Sequence, residues 1–449
     1  MSSRTPCSQK ERRLMDKLFD WQIPSRDRLR DILSRGDVAL DLSQTGTGKT
    51  FIALGVAREL GLVPHIIAPK AALTTWHRVA VAMGVQCGTI TNVEQVKRGK
   101  TSMAYPISKK NFRWDLAKGS LVIVDEAHRF GGEKTANSIL LAQTRQYGVK
   151  VLALSATLSD KGPLGLRAIG YLCGLHQFVN RDYYQWCLRN GCIRNLWNGI
   201  EFLKGDKRLA HLERIRQALT PFSVRITVDS VPGFPENCII PELVDIDEKD
   251  REAVNALYAQ LPDEVKTPGH GVIGLVRDLR ARQLSEITKV PRLADMVEDA
   301  LEEGRSAAVF LCFLHSITAL REELRKRGIE SREVSGQVKD DDRVTAVDDF
   351  QADKVRVICN QIDSGGLSIS LHHTETSKYP RTAFICPNYS ATSFTQALGR
   401  CPRTGGKSKV IQKIILLAGT IEEKIYKAIQ RKLTNIDTIS DHDLAGITS

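Results

Sequence analysis

Short apolar runs alternate with amphipathic segments in two separate parts of the chain. In the first part the apolar runs cover residues 38–42, 65–68, 121–124 and 151–154. In the second part they cover residues 307–313, 332–334, 355–359, 383–386 and 413–417. Helical patterns such as residues 50–60 and 316–327 lie between the runs. This alternation predicts parallel sheets covered by helices.

The stretch between the two parts, residues 158–300, lacks this rhythm and predicts mostly helix. It contains Val231-Pro-Gly-Phe-Pro235, whose proline and glycine residues predict a hinge. A chain of 449 residues is long enough for two or three domains. We therefore expect an α/β fold with two parallel-sheet lobes joined through a mostly helical middle. Lobe 1 covers residues 1–230 with a helical extension over 158–230, and lobe 2 covers residues 231–449 with a helical entry over 245–300.

Charge and cysteine content narrow the class of protein. The 64 Lys and Arg residues exceed the 52 Asp and Glu residues, which gives a formal net charge of +12 and favours a polyanionic partner. No run approaches the ~18 uncharged apolar residues that a membrane span needs. The amino terminus has no apolar leader segment, so we expect a cytoplasmic protein that is not secreted. The ten cysteines are then expected to be reduced thiols.

One loop has the composition of a phosphate-binding site. Ser43-Gln-Thr-Gly-Thr-Gly-Lys-Thr50 follows a predicted strand and opens a predicted helix, the setting that a P-loop requires. Its glycines let backbone N–H groups turn toward phosphate oxygens, and the helix amino terminus adds positive charge. Lys49 is expected to reach the β- and γ-phosphates of ATP and Thr50 to hold Mg²⁺. Ser43 stands where this motif usually has its first glycine. The predicted nucleotide-binding residues of the loop are Thr45, Gly46, Thr47, Gly48, Lys49 and Thr50.

A second acidic motif ends another predicted strand of lobe 1. Leu121-Val-Ile-Val is followed directly by Asp125-Glu-Ala-His128. Asp125, at the carboxyl end of the strand, can hold Mg²⁺, and Glu126 can polarise the attacking water. For His128, a coupling role and a plain structural role both remain open.

With these two motifs the chain resembles the superfamily 2 helicases and translocases, whose two RecA-like lobes clamp one ATP. The resemblance covers about residues 15–435. Its further motifs, in the family's order, are Trp21-Gln22, Ile67-Ala-Pro-Lys70 with Trp76, Ser155-Ala-Thr157, Asp363-Ser-Gly-Gly-Leu-Ser368 and Gln396-Ala-Leu-Gly-Arg-Cys-Pro-Arg403. It implies that Gln22 and Gly366 contact the nucleotide. It implies nucleic-acid contacts at Pro69, Lys70, Trp76, Ser155, Thr157 and Ser368.

The last of these motifs carries two arginines, Arg400 and Arg403. Their i, i+3 spacing predicts one shared helical face, from which both can point into a cleft. The resemblance implies that they are arginine fingers. Such fingers supply the positive charge that γ-phosphoryl transfer needs, an effect of order 10³–10⁵ in rate.

Other segments indicate a branch of the superfamily. Residues 177–184, 219–225 and 334–336 resemble Swi/Snf-type ATPases, and residues 287–298 are similar to their annealing-helicase (HARP-like) subgroup. Gly399 departs from that pattern, which has an acidic residue there, and looks like the UvsW-type phage helicases and XPB-like repair helicases. The small size of the chain favours a phage, plasmid or mobile-element source, with DNA replication, repair or recombination as the setting.

A basic segment outside these motifs is a further candidate surface. Residues 97–118 hold seven basic side chains and one acidic one, interleaved with Tyr105, Phe112 and Trp114. This mixture suits phosphate contact plus base stacking, although a solvated face has the same composition. The expected DNA contacts are Lys109, Lys110 and Arg113. Separately, four candidate zinc ligands match no common finger spacing, so we expect buried thiols there instead; they are Cys173, His176, Cys187 and Cys192.

The function expected from the sequence is an ATPase motor that uses ATP and Mg²⁺. We expect it to translocate on or remodel double-stranded or branched DNA. An open alternative is a single-strand-tracking 3′–5′ DNA or RNA helicase, which shares every ATPase residue. A non-hydrolysing ATP-dependent clamp or scaffold is disfavoured by the complete hydrolytic set of Lys49, Asp125, Glu126 and Arg400.

Overall fold

The computed structural model of the protein describes most of the chain. The described residues are 18–108, 110–132, 135–159, 161–195, 199–203, 207–259, 271–362, 369–387, 390–420, 422, 423, 425–427, 429, 430 and 433. The chain divides into two compact units: the first comprises Met1–Pro232 with Gly366–Ser368 and Lys432–Ser449, and the second comprises Gly233–Gly365 and Ile369–Arg431. Each unit is built on its own six-stranded parallel sheet.

The strands of the first unit form one central sheet and two hairpins. In chain order they are β1 (Val38–Asp41), β2 (Val63–Ile67), β3 (Thr89–Thr91), β4 (Ala104–Ser108), β5 (Asn111–Trp114), β6 (Ser120–Asp125), β7 (Lys150–Leu154), β8 (Cys192–Arg194), β9 (Ile200–Phe202) and β10 (Ser223–Val224). The central sheet has the order β10-β1-β7-β6-β2-β3, and all its pairs are parallel. The antiparallel pairs β4–β5 and β8–β9 lie outside it.

Helices cover this sheet because the parallel strands are buried on both faces. They are α1 (Ile23–Arg35), α2 (Lys49–Glu59), α3 (Leu73–Ala82), α4 (Val93–Lys97), α5 (Ala136–Gln143), α6 (Arg167–Leu172), α7 (Asn180–Arg189) and α8 (Lys207–Leu219). The six residues from Ile52 to Ala57 in α2 are all buried, which places this helix inside the unit. Thr135 caps the amino terminus of α5, and its hydroxyl accepts a 3.3 Å hydrogen bond from the backbone N–H of Ser138.

The second unit has the same architecture, a parallel sheet with helices. Its strands are β11 (Asn237–Val244), β12 (Ser306–Leu311), β13 (Ser331–Val334), β14 (Val357–Gln361), β15 (Arg381–Ile385) and β16 (Val410–Leu417), in the sheet order β11-β16-β15-β12-β14-β13. Its helices are α9 (Glu248–Ala259), α10 (Gly271–Thr288), α11 (Val290–Glu302), α12 (Leu314–Lys326), α13 (Asp340–Gln351) and α14 (Ala391–Leu398). In α11 the apolar side chains recur at helical spacing and form one buried stripe.

The predicted fold class, two RecA-like parallel-sheet lobes, is confirmed. Residues 158–300 are mostly helical in the described part, as expected, and they also contribute β10 and β11, each to a central sheet. The strand β11 pairs with β16 over eight residues, from Asn237 with Val410 to Val244 with Leu417. Such a strand is stabilised by a partner far along the chain, so its own residues carry little local signal. Pro241 is tolerated within β11 because β11 is an edge strand.

No helix in the described part of the chain is long and apolar enough to cross a membrane.

Candidate functional site

The loop between β1 and α2, which the sequence predicts to bind phosphate, has the backbone conformation that this role requires. Gly46 and Gly48 have φ angles of 92° and 79°, in the left-handed region that favours glycine. A Cβ atom added to Gly48 would lie 2.4 Å from Nε2 of Gln22, so a larger residue would have to displace the Gln22 amide. Gly48 immediately precedes α2, which places the loop's N–H groups at a helix amino terminus.

Lys49 lies folded over this loop. Its Nζ atom donates hydrogen bonds of 2.7 Å and 3.0 Å to the backbone carbonyls of Ser43 and Gln44. The loop is also fixed at its start, where a carboxylate oxygen of Asp41 accepts a 3.0 Å hydrogen bond from the N–H of Ser43. Burial raises the pKa of Asp41, and the charge of Lys49 opposes that rise.

Gln22 is tied to the same loop. Its side chain is buried, its Nε2 donates a 3.0 Å hydrogen bond to the carbonyl of Thr47, and its Oε1 accepts one of 3.0 Å from the N–H of Phe19. The amide therefore connects the residues before α1 to the phosphate loop. This is the side chain for which the resemblance implies nucleotide contact.

Asp125 lies at the carboxyl end of β6 and is held from two sides. Its Oδ1 accepts a 3.0 Å hydrogen bond from the backbone N–H of Glu126, and its Oδ2 accepts one of 2.9 Å from the indole Nε1 of Trp76. Burial, and after it the charge of the neighbouring Glu126, raise the pKa of Asp125 to about 6. Trp76 and Lys49 act in the opposite direction, since each favours the ionised carboxylate.

Glu126 begins a short polar chain that leads to the Ser155-Ala-Thr157 motif. It has a φ angle of 54°, an unusual conformation for a residue with a side chain. Its carboxylate lies 3.3 Å from Nδ1 of His128, which lies 3.2 Å from Oγ of Ser155. The Ser155 hydroxyl in turn donates a 2.8 Å hydrogen bond to the carbonyl of Thr157. His128 therefore contacts both motifs, which favours the coupling interpretation over a plain structural one.

Several predicted nucleic-acid contacts are buried in this structure. Trp76, Ser155 and Thr157 are at most 2% exposed, and Pro69 is also buried. In this structure Trp76 donates a hydrogen bond to Asp125, and Ser155 and Thr157 contact one another. The nucleic-acid contacts of these residues stay predictions. Of this group Lys70 is exposed. Ser368 and Gly366 lie outside the described residues.

The basic segment forms the hairpin β4–β5, and its two faces differ. Phe112 and Trp114 are buried, which corrects the expectation that they stack on bases. Trp114 Nε1 donates a 3.0 Å hydrogen bond to the carbonyl of Leu140, and the N–H of Phe112 donates one of 2.8 Å to Oε1 of Gln143. These contacts fix the hairpin to α5. The outward residues Tyr105, Lys110 and Arg113 are exposed, whereas Lys109 lies outside the described residues.

The two arginines of the second unit do not share a helical face, contrary to the prediction. The helix α14 ends at Leu398, and both arginines follow it in irregular backbone. The carbonyl of Arg400 accepts a 3.0 Å hydrogen bond from the N–H of Leu371, and Arg403 Nη2 donates one of 3.1 Å to the carbonyl of Ile369. Both arginines are thereby placed beside the chain that follows the glycine motif. The secondary structure expected for this pattern was therefore wrong, and the finger role of the two arginines stays a prediction.

The side chains that could bind a metal ion differ for zinc and for magnesium. Among the described residues no group of three or more His, Cys, Asp or Glu side chains could hold a metal ion, and Cys187 and Cys192 pack with Tyr183 in a small apolar cluster. The donors that the sequence predicts for Mg²⁺ are the carboxylate of Asp125 and the hydroxyl of Thr50. Mg²⁺ prefers oxygen ligands, retains several waters and is bound by one or two carboxylates plus phosphates, so these donors fit it.

Residues 288–405 match the family model described as the helicase conserved C-terminal domain. The chain is also 30% identical over 465 residues to a protein of Acanthamoeba polyphaga mimivirus that is named a putative ATP-dependent RNA helicase. That alignment covers 96% of this chain and 85% of the mimivirus protein.

Two more distant similarities extend this picture. The CHD3-type chromatin-remodeling factor PICKLE of Arabidopsis thaliana is 20% identical over an alignment of 489 residues, gaps included, which covers 93% of this chain and 34% of PICKLE. The structure of S. cerevisiae Dbp5 bound to RNA and ADP BeF3 superposes with a TM-score of 0.51 and 12% identity, covering 96% of this chain and 94% of that one. The latter similarity concerns the fold alone.

Proposed function

This chain belongs to the superfamily 2 helicases, which makes it an ATP-hydrolysing, nucleic-acid-dependent motor, and we propose that its track is double-stranded or branched DNA. The choice of double-stranded or branched DNA as the substrate rests on one observation, the similarity to Swi/Snf-type ATPases. It is carried by residues 177–184 and 219–225 and extends along 93% of the chain in the alignment with a chromatin-remodelling factor.

The proposed hydrolytic step uses the residues that surround the phosphate loop. Lys49 and the loop N–H groups bind the β- and γ-phosphates, and Thr50 and Asp125 hold Mg²⁺, which when bound neutralises charge on the phosphate oxygens. Glu126 orients the attacking water and accepts its proton. The contact of Glu126 with His128 keeps that carboxylate in place.

The role proposed for Arg400 and Arg403 is charge stabilisation. A transferring γ-phosphoryl group spreads negative charge over its oxygens, and a guanidinium that reaches it lowers the barrier. This assignment comes from the motif and its order in the chain.

The test is the ATP hydrolysis rate measured without nucleic acid and with single-stranded DNA, duplex DNA, a model fork or RNA. Strong stimulation by duplex or forked DNA is the expected result. Stimulation by single strands alone would overturn the choice of track. The Glu126→Gln variant serves as the control for contaminating ATPases, since every stimulated rate should vanish in it.

A second candidate is a helicase that tracks one strand of DNA or RNA. Two observations favour it: the mimivirus relative is named a putative RNA helicase, and Gly399 matches the phage and repair helicases. This candidate predicts that single-stranded RNA or DNA stimulates hydrolysis at least as well as a duplex does. It also predicts strand release from a partial duplex with a 3′ overhang.

A further inference from the structure

The phosphate loop is hydrogen-bonded to the segment through which the chain leaves the first unit. The hydroxyl of Ser43 accepts a 2.9 Å hydrogen bond from the N–H of Ile226, and Oε1 of Gln44 accepts one of 2.7 Å from the N–H of Val228. The N–H of Gln44 donates a 2.9 Å bond to the carbonyl of Ile226. Arg225 adds a 2.8 Å bond from Nη1 to the carbonyl of Leu42. Residues 42–44 and 225–228 therefore form one hydrogen-bonded unit.

These bonds explain the departure of Ser43 from the usual glycine. Ser43 is fully buried, and its hydroxyl is the acceptor for the buried Ile226 N–H. A glycine at this position would leave that N–H without the acceptor, which is costly for a buried backbone donor. The side chain at position 43 is thus selected by a partner 183 residues away.

Lys49 is hydrogen-bonded to the same two loop residues, Ser43 and Gln44. Its Nζ donates to the carbonyls of Ser43 and Gln44, whereas the linker segment binds their side chains and the N–H of Gln44. An ammonium group that turns to a phosphate must give up those carbonyl bonds. Ser43 and Gln44 therefore lie between Lys49 and the residues that lead to Pro232, after which the chain first enters the second unit.

We propose that residues 225–228 are positioning residues of the nucleotide site. Through Ser43 and Gln44 they hold the phosphate loop in its binding conformation. Nucleotide binding in turn stabilises the hydrogen bonds at the start of the inter-unit linker. This inference rests on the proposed assignment of the loop as the ATP site. Residues 225–228, which lie outside the phosphate loop, thereby have a role in nucleotide binding. Gln44 also has a function, as the side chain that joins loop and linker.

Amide hydrogen exchange tests the nucleotide site and its coupling to the linker in the same experiment. Exchange is followed by mass spectrometry in the wild-type protein with and without Mg·ADP. Slower exchange in residues 43–50 reports the nucleotide site itself, and slower exchange in residues 224–232, by about five-fold for a stabilised hydrogen bond, reports the coupling. Protection of residues 43–50 with no change in residues 224–232 overturns the inference alone. No protection of residues 43–50 overturns the nucleotide site.

A proline substitution removes one of the bonds at its donor. Val228 is the first residue of the 3-10 turn Val228–Ser230, a position that tolerates proline, and Thr227 before it has the extended conformation (φ −96°, ψ 152°) that proline requires. Val228→Pro deletes the N–H that Gln44 binds, whereas Val228→Ala keeps it and reports the effect of the side chain. We expect the KM for ATP of Val228→Pro to exceed that of Val228→Ala by about five-fold, with kcat at saturating ATP changed less than KM.

Equal KM values for the two variants, with both folded as judged by circular dichroism, would overturn the inference. Gln44 provides an independent variant if Val228→Pro does not fold. Gln44→Glu retains an acceptor oxygen for the Val228 N–H, and Gln44→Leu does not. The inference requires faster amide exchange at residues 224–232 in Gln44→Leu than in Gln44→Glu, and equal exchange in the two would contradict it.

Discussion

The indole Nε1 of Trp76 donates a 2.9 Å hydrogen bond to Oδ2 of Asp125, the carboxylate proposed to hold Mg²⁺. Trp76 lies in α3 and is 1% exposed, so the ring cannot reorient without disturbing its neighbours. The second oxygen of Asp125 is held by the N–H of Glu126. Both oxygens are therefore oriented before any cation binds, which is the arrangement that a precise metal ligand requires.

Removal of the indole donor should weaken the response to Mg²⁺. In Trp76→Phe the ring is largely kept, but Asp125 loses a hydrogen bond, at a cost of about 1–3 kcal/mol to stability. We expect the Mg²⁺ concentration needed for half-maximal binding of a fluorescent ADP analogue to rise several-fold. Trp114→Phe is the matched control, because Trp114 Nε1 binds the carbonyl of Leu140 in the same unit. A similar rise in both variants would show that the effect is only general destabilisation.

The raised pKa of Asp125 predicts how stability depends on pH. Because burial raises this pKa from about 3.8 to about 6, the folded protein binds the proton more tightly than the unfolded chain does. The contribution of Asp125 to stability should therefore fall as the pH rises from about 4 to about 6 and then stay at the lower level. Asp125→Asn removes this effect, so the variant should be more stable than the wild type at pH 8 by about 1–3 kcal/mol. Urea unfolding in EDTA at pH 4.5 and pH 8 measures this difference, and a gap that does not grow with pH contradicts it.

Glu126→Gln should separate binding from turnover. The amide keeps the size of the side chain but cannot accept a proton from water, so hydrolysis should fall by two or more orders of magnitude. Affinity for ATP and for DNA should stay close to the wild-type values. Steady-state hydrolysis and equilibrium binding are the two measurements. Turnover near the wild-type rate would remove Glu126 from the role of general base.

The exposed face of the hairpin β4–β5 should contribute to the salt dependence of DNA binding. Each phosphate contact that is lost reduces the slope of log K against log salt by about 0.9 on duplex DNA. Replacement of Lys109, Lys110 and Arg113 by alanine should therefore flatten the slope by up to about three such contacts. Lys326→Ala is a control, since that lysine is exposed but already paired with Glu323. An unchanged slope in the triple variant would show that the exposed face of the hairpin is a solvated surface that does not contact DNA.

The chemistry of the site could be predicted where it depends on neighbours in the sequence. Lys49 and Thr50 follow a glycine-rich turn at a helix start, and Asp125 and Glu126 follow a buried strand, so a few consecutive residues contain the signal. The two-lobe parallel architecture could be predicted for the same reason, since each strand and helix has its own apolar period. The end of α14 could not, because Gln396 to Arg403 has helical spacing although the helix stops at Leu398.

The sequence by itself determined the reaction class, because phosphate binding and water activation need particular residues at short spacing. Tertiary structure alone decided which side chains support them. Trp76 reaches Asp125 across 49 residues, and Val228 reaches Gln44 across 184. Burial likewise removed Phe112 and Trp114 from the candidate DNA surface, since the packing of the hairpin on α5 fixes which face is exposed. Hydrogen bonds and burial between distant segments leave no periodic trace in either segment, which is why only the folded chain reveals them.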